Sequence, residues 1–123
     1  MDVWVEPLPP QQLAQGVSQP FLFMRSIPWL SNDNAPLFEQ LYDASTGEKY
    51  NLAIAGTVHR DFTLQGILSP LLQVIGFTGT LAPVRTLDIV NAYMLTFFDH
   101  TLKGEPAPLL EGASPNYPEV TFE

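Results

Sequence analysis

The chain has 123 residues, 46% hydrophobic and 15% charged, enough for one modest core and too apolar for a disordered segment. Thirteen acidic groups against five basic ones give a formal charge of −8, which opposes a phosphate backbone and sets nucleic acid aside as a partner. With no cysteine there is no disulfide, and no run reaches the roughly eighteen uninterrupted apolar residues of a membrane span, so stable membrane insertion is not expected.

In chain order, residues 1–19 read as an irregular lead-in rich in Pro and Gln. Pro7, Pro9 and Pro10 rule out a regular helix before Gln11, and a short turn over Gln11–Gln15 precedes Gly16. Pro20–Ser26 is an apolar run of strand length without alternation, the pattern of a strand buried on both faces. Ile27–Asn34 reads as loop. Asn34 or Asp33 can cap a helix beginning near Pro36, with Leu37, Leu41 and Phe38 on its apolar face and an end by Thr46-Gly47. Tyr50–Ala55 is the second strand, closed by Gly56; strand, helix, strand at this spacing implies parallel neighbours.

Asp61 is placed to cap a segment over Phe62–Leu72, interrupted by Pro70, with Leu64, Ile67, Leu68, Leu71 and Leu72 at helical spacing. After a hinge-like loop at Gly76–Thr80, the longest helix is expected over Val84–Leu102. Leu87, Val90, Met94, Phe97 and Phe98 form its buried stripe, Lys103 suits its negative pole and Gly104 its left-handed stop. Residues 105–123 read as an irregular tail laid across the surface. The expected whole is one partial α/β domain over residues 1–123, two parallel strands with three helices. Two strands do not make a stable doubly covered sheet, so completion by a missing N-terminal part or by a second copy of the chain is expected. The low charge fraction fits, because a small monomer carries charge on roughly a quarter to a third of its surface.

The stretch Ala53–Phe62 carries the chemistry. It sets His59 just beyond a buried strand, where open sheets place their sites. Position alone leaves two readings open: a catalytic base, or a loop histidine bonded to backbone. A serine-type hydrolase needs a nucleophile, a histidine and a carboxylate, in the α/β-hydrolase order Ser, acid, His. Ser18, Ser26, Ser31, Ser45, Ser69 and Ser114 are present, but none lies in a Gly-x-Ser-x-Gly elbow, and Ser26 is expected to bond locally. His59 and His100 are the only histidines, with no cysteine and no phosphate-binding glycine loop, so neither metal nor organic cofactor is expected. The N-terminus shows no secretory leader, and cytoplasm is the default compartment.

Four pieces, Met1–Trp4, Gln19–Ser26, Gly56–Phe62 and Asn91–Gly104 (NAYMLTFFDHTLKG), together resemble the C-terminal part of the platelet-activating-factor acetylhydrolase-like and dienelactone-hydrolase-like branch of α/β hydrolases. The likeness spans nearly the whole chain. It implies a portion of a serine-dependent carboxylic-ester hydrolase for short acyl esters or acylated phospholipids, with His59 as triad histidine and Asp2 as triad acid. Asp33 is the alternative acid, after the next strand. The nucleophile would come from an N-terminal hydrolase portion, and the chain alone would be inactive. Trp4, Trp29, Phe62 and Phe77 could line an acyl cleft or serve packing, and Arg60 could meet an anionic substrate group or solvent. His100 suits an end-of-helix interaction, and the apolar Ile67–Gly79 stretch a cap edge or a surface covered by protein. The rival is a non-catalytic dimerising or interaction protein that kept hydrolase packing.

Overall fold

Two six-residue strands, β1 (Phe21–Ser26) and β2 (Lys49–Ile54), run parallel with Phe21 opposite Lys49 and Ser26 opposite Ile54 in the computed structural model, which describes residues 1–69 and 71–123. The last four residues of each strand are buried, as continuous apolar runs imply. Alternation assigns the faces. Phe23 packs with Val5, Leu13, Trp29, Ala35 and Phe38 beneath α1 (Pro10–Gln15) and α2 (Asn34–Ala44). Met24, Leu52 and Ile54 point the other way, into the core under the long helix. The result is an α/β/α arrangement, and the α/β class is borne out. Pro10 opens α1 at its first turn, where the missing N–H costs nothing.

The sheet has three strands, where two were expected, in the order β1-β2-β3, with β3 (Val120–Phe122) antiparallel to β2. The stretch read as an irregular tail therefore closes one edge of the sheet. The Ala55 amide donates to Glu119 O at 2.8 Å and the Glu123 amide to Asn51 O at 3.0 Å, extending the ladder beyond the strand. Arg85 holds the approach to β3 with a two-pronged grip on Glu119, both bonds 2.9 Å, and lies over the Tyr117 ring. Three residues after a proline carry no strand signal of their own; the open edge of β2 supplies it.

Between the sheet and the long helix, a 3-10 turn over His59–Phe62 leads to two short helices, α3 (Gln65–Leu68) and α4 (Leu71–Val74), in place of one capped segment. Pro70, expected to interrupt that segment, lies outside the described residues. Leu68 and Val74 are each 81% exposed, so the apolar stretch faces outward on this chain. The long helix α5 (Pro83–Lys103) ends as expected, with Gly104 left-handed at φ 72° and its amide bonded to His100 O.

Its buried face differs from the expected stripe. Thr86, Ile89, Val90, Tyr93 and Phe97 are buried, whereas Leu87 and Phe98 are 39% and 46% exposed. Apolar residues occur on both sides of this helix, so periodicity could not choose; contact with Leu52 and Ile54 did. Burying Ile89 completely contributes about 1.5–3 kcal/mol. Among the described residues, no helix is long and apolar enough to cross a membrane.

Candidate active site

Because β1 and β2 are parallel and in register, their C-terminal ends sit side by side at Ser26 and Ile54. The turns that follow them, Ile27–Ser31 and Ala55–Phe62, must then meet above the sheet. After β2 the chain reverses at Gly56, whose φ of 78° suits glycine. Thr57 secures the reversal by donating its hydroxyl to Ile54 O at 2.7 Å. His59 follows on the 3-10 turn, with its side chain 72% exposed.

Asp2 reaches the same place from the other side of β1. Its amide donates to Met24 O at 3.0 Å, which lays the N-terminal segment along β1. Its carboxylate, wholly enclosed, accepts the Ser26 amide on Oδ1 at 2.7 Å and the Ser26 hydroxyl on Oδ2 at 2.8 Å. The Nδ1 atom of His59 lies 3.3 Å from that same Oδ2. This is long for a hydrogen bond and within the range that tightens when a site takes up substrate. Asp2 has φ 45°, a left-handed conformation costing roughly 1 kcal/mol in an L-residue, and the three bonds around it hold it there. Asn34 fixes the exit: its side-chain oxygen accepts the amides of both Val5 and Glu6, each at 3.0 Å.

Of the two expected acids, the structure brings Asp2 to His59. Asp33 stands exposed at the start of α2, and its side chain makes no capping bond there. Ser26 and Asn34 escaped sequence reasoning, because residues 24 and 29 positions from their partners leave no local signal. Ser26 bonds to Asp2, across the fold, where local bonding was expected. Asp61 does not cap α3. Its Oδ2 accepts the Val58 amide at 2.7 Å and the Gly79 amide at 2.8 Å.

An open cleft of about 680 Å³ lies over the pair, bordered by Asp2, Trp4, Trp29, His59 and Arg60. Trp4 is 68% exposed and donates its indole N–H to Glu6 at 2.9 Å, so it offers a free aromatic surface. Trp29 shows the cleft an edge only; its ring meets Phe23 and Phe38 edge-on in the core. Phe62 and Phe77 do not line the cleft. Phe62 packs against the α5 core, and Phe77 lies under the Arg60 guanidinium at 3.9 Å. His100 sits far along α5, donating from Nδ1 to Glu105 O at 2.7 Å and facing Glu48 at 3.1 Å, an end-of-helix role as expected.

A solved structure described as ferulic acid esterase from Streptomyces cinnamoneus superposes with a TM-score of 0.76 at 30% sequence identity, over 89% of this chain and 35% of that one. The chain thus spans about a third of that esterase's length. Comparison with curated proteins gives no match. The model of the family described as platelet-activating factor acetylhydrolase, isoform II, matches residues 1–106, and the chain belongs to that family of α/β hydrolases.

Proposed function

We propose that residues 1–123 furnish the acid and the histidine of a Ser–Asp–His triad in a serine-dependent carboxylic-ester hydrolase. The observation that carries this reading is the contact between enclosed Asp2 and exposed His59 at the C-terminal ends of parallel strands. A carboxylate buried at one end of the imidazole favours the proton on Nδ1, leaving Nε2 free to accept one. In the reaction, Nε2 takes the serine hydroxyl proton as the oxygen attacks the ester carbonyl. It returns that proton to the departing alcohol, leaving an acyl-enzyme. A water, deprotonated by the same nitrogen, then releases the acid and restores the serine.

The serine would be carried by an N-terminal hydrolase portion docked against β1, the edge strand of the sheet among the described residues. An apolar groove of about 170 Å³ beside that edge, bordered by Met1, Leu22, Met24, Met94 and Phe98, supports such docking. Short acyl esters and acylated phospholipids remain the substrate classes. The free face of Trp4 suits an apolar or aryl acyl group, and the likeness to a ferulic acid esterase points the same way.

The test mixes the chain with an N-terminal hydrolase portion bearing the serine elbow and follows hydrolysis of p-nitrophenyl acetate. The mixture is expected to turn over where neither half does. His59→Ala or Asp2→Asn in the mixture should lower kcat by up to about 10⁴-fold. A folded, mixed complex without turnover would refute the enzymatic reading and favour the non-catalytic interaction protein.

A further inference from the structure

The imidazole of His59 is 72% exposed, so packing does not hold it. Its direction must come from the backbone of the short turn that carries it. One carboxylate closes that turn. Asp61 Oδ2 accepts the amide of Val58, immediately before the histidine, while Asp61 itself ends the sequence Val58-His59-Arg60-Asp61. The same oxygen accepts the amide of Gly79, eighteen residues on. Around it the two loops are fastened at two further points: the Leu81 amide donates to Gly56 O at 2.9 Å, and Arg60 stacks on Phe77. The approach is close enough that a Cβ on Gly79 would lie 2.1 Å from Gly56 O and 2.6 Å from the Asp61 carboxylate. Asp61 is only 9% exposed, and a charge so placed is costly unless hydrogen bonds meet it. Neither the triad nor any helix cap uses it.

We infer that Asp61 is the positioning residue of the histidine turn: its carboxylate braces residues 58–61 against the 77–81 loop and thereby aims Nδ1 of His59 at Asp2. This rests on the reading of Asp2 and His59 as an acid–histidine pair. It assigns Asp61 no contact with substrate.

The tautomer of His59 reads the aim directly. Free imidazole favours the proton on Nε2, whereas a ring facing a carboxylate through Nδ1 carries it there. In long-range ¹H–¹⁵N spectra of the full chain, at alkaline pH where the ring is neutral, wild-type His59 should show the Nδ1–H form. Asp61→Ala should lower the Nδ1–H to Nε2–H ratio by about tenfold or more, the equivalent of one lost hydrogen bond to a charged group. The Val58 and Gly79 amides should exchange correspondingly faster. His100, elsewhere on α5, should be unchanged and controls for global effects. Asp61→Asn keeps an oxygen for both amides and should restore the wild-type form. Should Asp61→Ala fail to fold, Asp61→Glu makes the same test, since it keeps the charge but displaces the oxygen by one methylene and should lose the form. An unchanged tautomer in Asp61→Ala, or in Asp61→Glu where that variant stands in for it, overturns the role of Asp61; so does loss of the form in Asp61→Asn. A wild-type chain with its proton on Nε2 would instead bring down the Asp2–His59 pairing itself.

Discussion

Ser26→Ala removes one hydrogen atom's worth of chemistry from the best-enclosed part of the site. The Ser26 hydroxyl donates to Asp2 Oδ2 at 2.8 Å, both groups are buried, and the Asp2 side chain has no exposed surface through which water could replace the lost donor. A hydrogen bond to a charged group contributes about 1.5–3 kcal/mol. The backbone bond from the Ser26 amide to Oδ1 survives the substitution, so the lower part of that range applies, about 2 kcal/mol. For a chain of this length that corresponds to a melting point lower by roughly 8 °C. Urea unfolding of wild type, Ser26→Ala, Asp2→Asn and the double variant measures the coupling directly. The serine hydroxyl should cost at least about 1 kcal/mol less to remove once the carboxylate charge is gone. Equal costs in both backgrounds, or a loss below about 0.5 kcal/mol in wild type, would refute the claim that Ser26 holds the acid.

Two further outcomes follow from groups away from the cleft. The His100 pKa is raised above 6.5 by the Glu105 carbonyl and then by Glu48, whose own pKa is lowered below 4.5 by Tyr50 and His100. Burial and Glu48 push the Tyr50 hydroxyl up to about 12, so it stays a donor throughout. The raised histidine stabilises fully below pH 6.5 and loses its effect as pH climbs through its elevated value. The lowered glutamate stabilises above pH 4.5 and loses its effect as pH falls through its depressed one. The stability difference between wild type and His100→Gln should therefore be largest near pH 5.5 and shrink by pH 8.5, measured in urea; a difference that grows with pH contradicts the arrangement. Tyr93→Phe concerns a fully buried ring whose hydroxyl has no hydrogen-bond partner. Removing that hydroxyl should leave stability unchanged or raise it by about 1 kcal/mol, and a loss beyond that would reveal a partner.

Much of the chain was legible before folding. The two parallel strands, α2 and α5 each follow from patterns within a dozen or so residues: unbroken apolar runs, Pro36 in a first turn, Gly104 after a last one. His59 stood out for the same reason, being fixed locally beyond a strand and a glycine turn. Asp61 shows where local reading misleads. An Asp before an apolar segment has the form of a cap, but here its donors are Val58 behind it and Gly79 across a loop.

What the order of residues determined by itself was the α/β class, the strand-end place of the histidine and the kinship that nominated Asp2. Only the tertiary structure decided that Val120–Phe122 is a strand, which side of α5 is inside, and that Ser26, Asn34 and Asp61 hold the site. Each of those outcomes depends on a partner far along the chain: an open β2 edge, a sheet face, a carboxylate 24 residues away. Backbone propensity acts over a few residues, whereas a vacant edge or an unsatisfied donor exists only once distant segments have come together.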